Sequence, residues 1–346
     1  MRQKDTAVDN MLFVQTATDL GYSSSQIEIL KNNYKLICYS DAALEKSILN
    51  VNKLLSSFGY TKSDIIKMTC SAPIILALDP QNLADFYKAF LALGYTQKEA
   101  FNIFKKCAGI FTFNIENIQK KLTALKTLGY DEESIHKMTC DTPEIFTLSV
   151  ENISQKLLDL CSFGYSKSQV FKITRSFPSL FCISMRYINY KCEDFLDLGF
   201  TKEEFIKITS LIPSIICLSQ ETILCKLNSL KNFSFTDEQI KIMVLTFPGI
   251  LTYSVENISQ KMGFYDIMNL LDKIYSNPML LMQSISLSNA RIGFFKSNNI
   301  NIDKSNSRLL FLGNQAFMQK FGITKEKLLE LYGKKNNLEE FDERIT

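Results

Sequence analysis

The feature that most constrains this chain is a unit of sequence that recurs with a step of 35 residues. Glycines recur at this step, and prolines recur at the same step in a second register. The glycines are Gly59, Gly94, Gly129, Gly164 and Gly199, with Ser234 next in line, and the prolines are Pro73, Pro143, Pro178, Pro213 and Pro248, with Ala108 in the one gap. A period between about 20 and 50 residues indicates a solenoid, whose units bury their apolar faces only against their neighbours.

Each unit predicts two helices and a short turn. The first helix begins at a polar capping residue and ends at the loop glycine. The second begins two residues later at a Ser, Thr or Asp, and most copies have an acid or amide three positions on, which forms a capping box. Proline ends this helix because it lacks an amide hydrogen, and the apolar pair after it favours a 3₁₀ turn. The first-helix caps are Asp79, Asn114, Ser149, Ser184, Ser219 and Ser254, and the second-helix caps are Thr61, Thr96, Asp131, Ser166, Thr201 and Thr236.

The repeat predicts an all-α fold with about seven helix pairs in one continuous domain. Residues 1–56 hold an irregular N-terminal capping repeat, residues 57–265 hold the regular repeats, and residues 266–346 hold a shortened repeat and capping helices. The shortening is visible because Pro278 follows Pro248 after 30 residues. We expect an apolar helix around Leu309 to Phe321, a capped helix at Thr324, and a polar, frayed tail from Gly333.

Composition excludes several classes of protein. The chain is 46% hydrophobic and 22% charged, with a net charge of +3, so any basic surface must be local rather than general. The nine cysteines form no CxxC pair and His136 is the one histidine, which predicts no zinc site and cysteines that fill the core in a reducing compartment. No phosphate-binding glycine motif occurs. We therefore expect no cofactor, no metal and no catalytic residue, with His136 at the surface or half-buried.

No stretch reaches the roughly 18 apolar residues of a membrane span, and the first residues lack the pattern of a secretory signal or a transit peptide. We therefore expect a cytoplasmic monomer without membrane contact. An organelle matrix is the alternative location.

The unit resembles the repeat of the mTERF (mitochondrial transcription termination factor) family. The residues that carry the resemblance follow the pattern S-x-E-N-I-x-x-K-L-x-x-L-x-x-x-G-Y, then [TS]-x-x-[EQ]-x-x-x-K-[MI]-T-x-x-x-P, and are most complete from Ser149 to Phe181. The similarity covers roughly residues 58–281, and LLFLGNQAFMQKF at Leu309 to Phe321 is similar to the end of such proteins. It implies a right-handed-type superhelical half-ring whose positive concave face binds nucleic acid, usually duplex DNA. Without a visible targeting sequence, we expect a bacterial or otherwise untargeted relative.

Lysines also recur at one position of the first helix, at Lys121, Lys156, Lys191, Lys226 and Lys261. A helical wheel places Lys121 about 60° from Ile118, at the edge of the buried stripe. The lysine stems then either cover apolar surface or carry a row of amines that contact phosphates. If they contact phosphates, the affinity for nucleic acid should fall with salt concentration at a log–log slope of roughly −4 to −5.

Other basic residues are candidates for the same role, and they lie near the proline turn or at the start of a first helix: Lys105, Lys106, Arg175 and Arg186. A second column of lysines, Lys67, Lys137, Lys172 and Lys207, is interpreted as a solvated outer face. The tyrosines after the loop glycine stand beside a helix cap, which favours packing over base stacking.

The leading hypothesis is a nucleic-acid binder, with duplex DNA favoured over RNA, that acts through backbone phosphates and regulates transcription or its termination. The alternative is a protein-interaction solenoid that serves as a scaffold or effector, which the near-neutral charge favours. A third possibility is an RNA-binding or modular reader similar to TALE or pentatricopeptide arrays, and the 35-residue period fits the pentatricopeptide arrays.

Overall fold

The computed structural model describes residues 12–37, 41–302 and 306–333. These residues form helices and turns and contain no strand, as the repeat predicts. The chain divides into two compact units, Met1–Met185 and Arg186–Thr346. The predicted three-part division stays a prediction. Three parts of the chain with sequence-based expectations lie outside the described residues: residues 1–11, Cys38, and the tail after Gly333.

In the first unit, the helix at residues 12–19 and the nine labelled helices after it make five helix pairs. They are α1 (Ser24–Ile37), α2 (Asp41–Ser57), α3 (Lys62–Ser71), α4 (Pro80–Leu91), α5 (Gln97–Lys106), α6 (Ile115–Thr127), α7 (Glu132–Asp141), α8 (Val150–Phe163) and α9 (Lys167–Ser176). A 3₁₀ turn follows each second helix from α3 onward, at Pro73–Ala77, Ala108–Thr112, Pro143–Thr147 and Pro178–Cys182.

The second unit continues the alternation. Its helices are α10 (Met185–Asp197), α11 (Lys202–Leu211), α12 (Gln220–Lys231), α13 (Asp237–Thr246), α14 (Val255–Ile267), α15 (Leu271–Ser276), α16 (Ile285–Ser297), α17 (Asn314–Phe321) and α18 (Lys325–Tyr332). Its 3₁₀ turns are Pro213–Cys217, Pro248–Thr252, Pro278–Met282 and Ser307–Leu309. Each unit is therefore an all-helical array of repeated helix pairs, the arrangement expected within a solenoid.

Local chemistry sets the helix ends. All six second-helix caps accept the amide hydrogen of the third helical residue, and five form the reciprocal capping box. Five of the predicted first-helix caps also accept an amide hydrogen, for example Ser149 from Asn152. These caps satisfy donors that have no partner within the helix, so the sequence-based boundaries are confirmed.

The loop between the two helices takes a left-handed conformation. Gly129 has φ +107°, and Ser234 and Asn269 keep positive φ of 63° and 54° where the glycine is missing. Asn269 therefore preserves the loop geometry although the Leu-Gly-Tyr sequence is lost there. Asparagine tolerates this region better than most residues with a side chain.

The core of each unit is built from both helices and from the turn. In the Pro143–Thr147 turn, Ile145 and Phe146 are fully buried, as the apolar pair after proline predicts. The loop tyrosines Tyr60, Tyr95 and Tyr130 are buried as well. Packing rather than base stacking is therefore the confirmed interpretation of these tyrosines.

Two departures appear near the C-terminus. The 30-residue step shortens the second helix, since α15 has six residues where its counterparts α9 and α11 have ten. The apolar helix expected around Leu309 to Phe321 begins only at Asn314, because residues 307–309 form a 3₁₀ turn and Gly313 precedes the helix. The capped helix at Thr324 is confirmed. Within the described ranges, no helix combines the length and apolar character needed to cross a membrane.

Candidate nucleic-acid interface

The predicted lysine column occupies equivalent positions on the first helices, with Lys121 and Lys156 in the first unit and the others in the second. Lys121 and Lys156 are half-buried. Lys191, Lys226 and Lys261 are only 5%, 7% and 6% exposed. The edge of the apolar stripe predicted by the helical wheel is therefore mostly covered once the repeats pack.

Most ammonium groups of the column donate to the 3₁₀ turn that closes their own repeat. Lys226 donates to the Leu251 carbonyl over 2.5 Å, and Lys121 donates to Phe146. Lys261 donates to Leu281 and, over 2.9 Å, to Gln283. Lys156 reaches Ile183, just beyond its turn. Since carbonyls at the end of a helical turn have no partner within it, the lysines satisfy acceptors that would otherwise be buried unpaired.

Lys191 differs from the rest of the column. Its Nζ lies 2.7 Å from Oδ2 of Asp194, one turn along α10, and both side chains are almost fully buried. The rings of Tyr187 and Tyr190 lie 5.3 and 5.1 Å from the same nitrogen. The local carboxylate therefore balances the charge of this lysine.

Burial changes the acid–base properties of the column. Desolvation lowers the pKa of Lys121, Lys156, Lys226 and Lys261 below the ordinary lysine value. The cause is the loss of water around the ammonium, which carbonyl oxygens replace only in part.

The remaining predicted cations lie on more exposed surface. The exposed Lys106 donates to the carbonyls of Cys140 and Asp141 over 3.1 and 3.2 Å, at the end of α7. Arg186 is exposed in the first turn of α10. The structure thus gives the predicted basic residues different surroundings rather than one common surface.

The other two predicted cations belong to a series of ion pairs between successive second helices. Lys105 lies 2.7 Å from Asp64, which is the third residue of α3. The same third position supplies Glu99, 2.9 Å from His136, and Glu204, 3.0 Å from Lys241. Hydrogen bonding by His136 lowers the pKa of Glu99 to about 2. An acid that caps one helix therefore also holds a cation of the next repeat.

Arg175 occupies the corresponding place at the interface of α7 and α9, but the third residue of α7 is Ser134. Its Nη2 instead lies 3.3 Å from Oδ2 of Asp131, the capping residue, and 3.4 Å from the Gly129 carbonyl. These distances are longer than the usual 2.7–2.9 Å of a charge-assisted hydrogen bond.

Sequence reasoning missed Arg291. Applying the 30-residue proline step to Lys261 leads directly to Arg291, so the signal was present in the sequence. The side chain is 1% exposed, and it donates to the Leu310 carbonyl over 2.7 Å, to Gln283 over 3.1 Å and to Asn314 over 3.2 Å. Burial lowers its pKa to about 10. Arg291 thus continues the lysine column into the last repeat.

One group of potential metal donors is present in the described part of the chain. Donor atoms of Glu99, His136 and Cys140 lie within 4.8 Å of one another. Burial is the first cause that raises the pKa of the Cys140 thiol to about 11. Because the pairing of Glu99 with His136 repeats the ion pairs of the other interfaces, the cluster is explained without a metal. The expectation that the chain has no metal site stays a prediction.

Comparison with known proteins identifies one family. The sequence model of the mTERF family matches residues 80–221 and 160–318, which together span more than half of the chain. No curated protein matches the chain at a significant level.

Proposed function

The chain belongs to the mTERF family, and on that premise we propose that it binds nucleic acid, duplex DNA in preference to RNA, and acts in transcription or its termination. The single observation that carries the proposal is the family match across residues 80–318, a region that holds most of the regular repeats. We assign the chain a binding role rather than a catalytic one, as a monomer in the cytoplasm.

We propose that recognition proceeds through backbone phosphates. A net charge of +3 is too small for general attraction, so the contacts depend on local basic groups. Lys106 and Arg186 are exposed, and Lys121 and Lys156 are half-buried, so these residues are the first candidates of the predicted set.

Lys191, Lys226 and Lys261 stay predictions as phosphate contacts. Their side chains are buried, and their amines are also bonded within the protein. A phosphate oxygen would have to replace a carbonyl or carboxylate partner. Support for a direct role is therefore weaker for these three lysines than for the exposed cations.

The test is fluorescence polarisation with labelled duplex DNA, duplex RNA and a single strand, titrated over a range of salt. We expect the strongest binding to duplex DNA, with an affinity that falls linearly on a log–log plot. The double variant with Lys106→Gln and Arg186→Gln should make the slope of log affinity against log salt concentration about 2 less negative.

The matched control replaces two exposed lysines outside the predicted set, Lys62 and Lys98, by glutamine. It removes the same net charge and should leave the slope near that of the wild type. Failure of the folded wild-type protein to bind any of the three nucleic acids at low salt would overturn the proposal.

A protein-interaction solenoid is the second candidate, and exposed leucines favour it. Leu158 is 61% exposed in the first unit, and Leu196 and Leu224 are 48% and 43% exposed in the second. Single exposed apolar residues are common on monomers. This candidate therefore becomes the leading one only if nucleic-acid binding is absent.

A further inference from the structure

A cleft of about 620 Å³ lies in the first unit between two successive second helices, α7 and α9. The sequence-based interpretation of this surface is a solvated outer face. Its polar lining consists of three cations and three hydroxyl groups: Lys137, Lys172, Arg175, Ser134, Ser168 and Ser176. We call it the α7–α9 cleft.

The cleft is basic because serines replace acids at two repeat positions. Ser134 stands where other repeats have Asp64, Glu99 and Glu204. Ser168 stands where other repeats have Glu133, Glu203 and Glu238. At three other interfaces between second helices, the acid at the Ser134 position holds a cation of the next second helix. Here that acid is missing while the cations remain.

The acid that does face Arg175 is Asp131, and it is held loosely. The two groups are 3.3 Å apart, compared with 2.7 Å for Lys105 and Asp64. Both side chains of the Arg175 pair are substantially exposed, and exposed ion pairs contribute little to stability. The guanidinium of Arg175 can therefore exchange this partner for an anion at small cost.

The three cations suit a phosphate group better than a carboxylate partner. Lys137 and Lys172 are exposed, and they occupy the same position in adjacent repeats. Two ammonium groups supply point charges, the guanidinium supplies a planar pair of donors, and serine hydroxyls donate to the remaining oxygens. Glu133 and Asp141 lie one turn from Lys137 along α7 but do not line the cleft.

The repeat architecture does not make every cleft beside a loop glycine basic. A second cleft, of about 350 Å³, lies in the second unit beside Gly199. Asp197, Asp237 and Glu238 line it together with Lys231 and Lys241. Its acids outnumber its cations, so the basic lining of the α7–α9 cleft is a property of its own residues.

We propose that the α7–α9 cleft is a binding site for a phosphoryl group, held by Lys137, Lys172 and Arg175. Two sources share this chemistry: the backbone of a nucleic-acid strand and a free phosphate compound. Where the source is a strand, the inference rests on the proposed function and adds a contact outside the predicted lysine column.

The experiment compares two double variants of the full chain. Lys137→Gln with Lys172→Gln removes two cations of the cleft. Lys67→Gln with Lys207→Gln removes two exposed lysines from the same helical position, where each follows an acid, Asp64 or Glu204, by three residues. Both variants change the net charge equally, and circular dichroism verifies that both fold.

Each protein is titrated with pyrophosphate by calorimetry and with labelled duplex DNA over a range of salt. We expect the cleft variant to lose about tenfold or more in pyrophosphate affinity. The slope of its log DNA affinity against log salt concentration should become less negative by roughly 2. The control variant should match the wild type in both measurements.

The outcomes separate the inference from the proposed function. Pyrophosphate binding that depends on the cleft, without DNA binding, supports the phosphoryl site with a free ligand as its source and overturns duplex DNA as the target in the proposed function. DNA binding that both variants weaken equally, in a protein whose pyrophosphate binding is absent or unchanged by the cleft variant, overturns the phosphoryl site and leaves the proposed function standing.

Discussion

The hydroxyl of Tyr130 lies 2.7 Å from the hydroxyl of Thr174, which is 44 residues further along the chain, and both groups are buried. Tyr95 and Thr139 make the same contact over 2.7 Å at the same separation. The tyrosine follows the loop glycine of one repeat, and the threonine lies on the second helix of the next. This hydrogen bond therefore joins adjacent repeats in register through otherwise apolar packing.

Tyr130→Phe is expected to lower the free energy of unfolding by about 1 kcal/mol, because Thr174 loses a buried partner while the ring packing stays. Urea denaturation measures the change. Tyr190→Phe is the control, since the side chain of Tyr190 is exposed and its substitution should cost almost nothing. Equal effects of the two substitutions would contradict a structural role for the Tyr130 hydroxyl.

The pairing of Glu99 with His136 predicts a pH dependence of stability. Hydrogen bonding by His136 lowers the pKa of Glu99 from 4.5 to about 2 in the folded chain. A lowered carboxyl pKa contributes stability that is present above the unfolded value and is lost as the pH falls through the folded value. Wild type should therefore lose stability relative to Glu99→Gln as the pH falls from about 5 towards 2.

Glutamine is a suitable replacement because Gln169 and Gln239 complete capping boxes at the same position. The cap is thus kept and only the charge is removed. Urea denaturation at several pH values measures the difference between the two proteins. A difference that does not change with pH would show that the ionised carboxylate contributes nothing.

Ser234→Gly should raise the free energy of unfolding by up to about 1 kcal/mol. Ser234 has φ 63° in a loop where other repeats have glycine, and the left-handed region is strained for residues with a side chain. The reverse change, Gly199→Ser, should destabilise by a similar amount. An added Cβ at Gly199 meets open space, so strain rather than a clash would be its cause. Stabilisation by both substitutions would refute this explanation.

Arg291→Met should destabilise the chain by about 2 kcal/mol or more, because the buried Leu310 carbonyl and the side chains of Gln283 and Asn314 lose this charged donor. Gln283 precedes α16, Leu310 follows the 3₁₀ turn at Ser307–Leu309, and Asn314 is the first residue of α17. Lys325→Met, at an exposed position of α18, is the control. Thermal unfolding followed by circular dichroism compares the stability of the two variants. Equally small effects would mean that the hydrogen bonds of Arg291 do not stabilise the fold.

The sequence identified most of the basic residues of the candidate interface, but it did not predict their burial or their hydrogen-bond partners. The step of 35 residues located Lys121 and Lys226, and the helical wheel placed Lys121 at the edge of the apolar stripe. Neither could reveal that the amines donate to Phe146 and Leu251, because those carbonyls lie 25 residues away. The basic cleft likewise depends on which side chains two successive helices bring together.

The sequence by itself determined the local structure of this protein. Capping residues such as Ser166, prolines such as Pro178 and glycines such as Gly129 act on the backbone within a few residues, so their positions set where helices begin, end and turn. Only the tertiary structure decided which groups pair with the charged side chains. The partners of Lys226, Arg175 and Arg291 come from other elements, since an ion pair or a buried hydrogen bond depends on distance in space rather than along the chain.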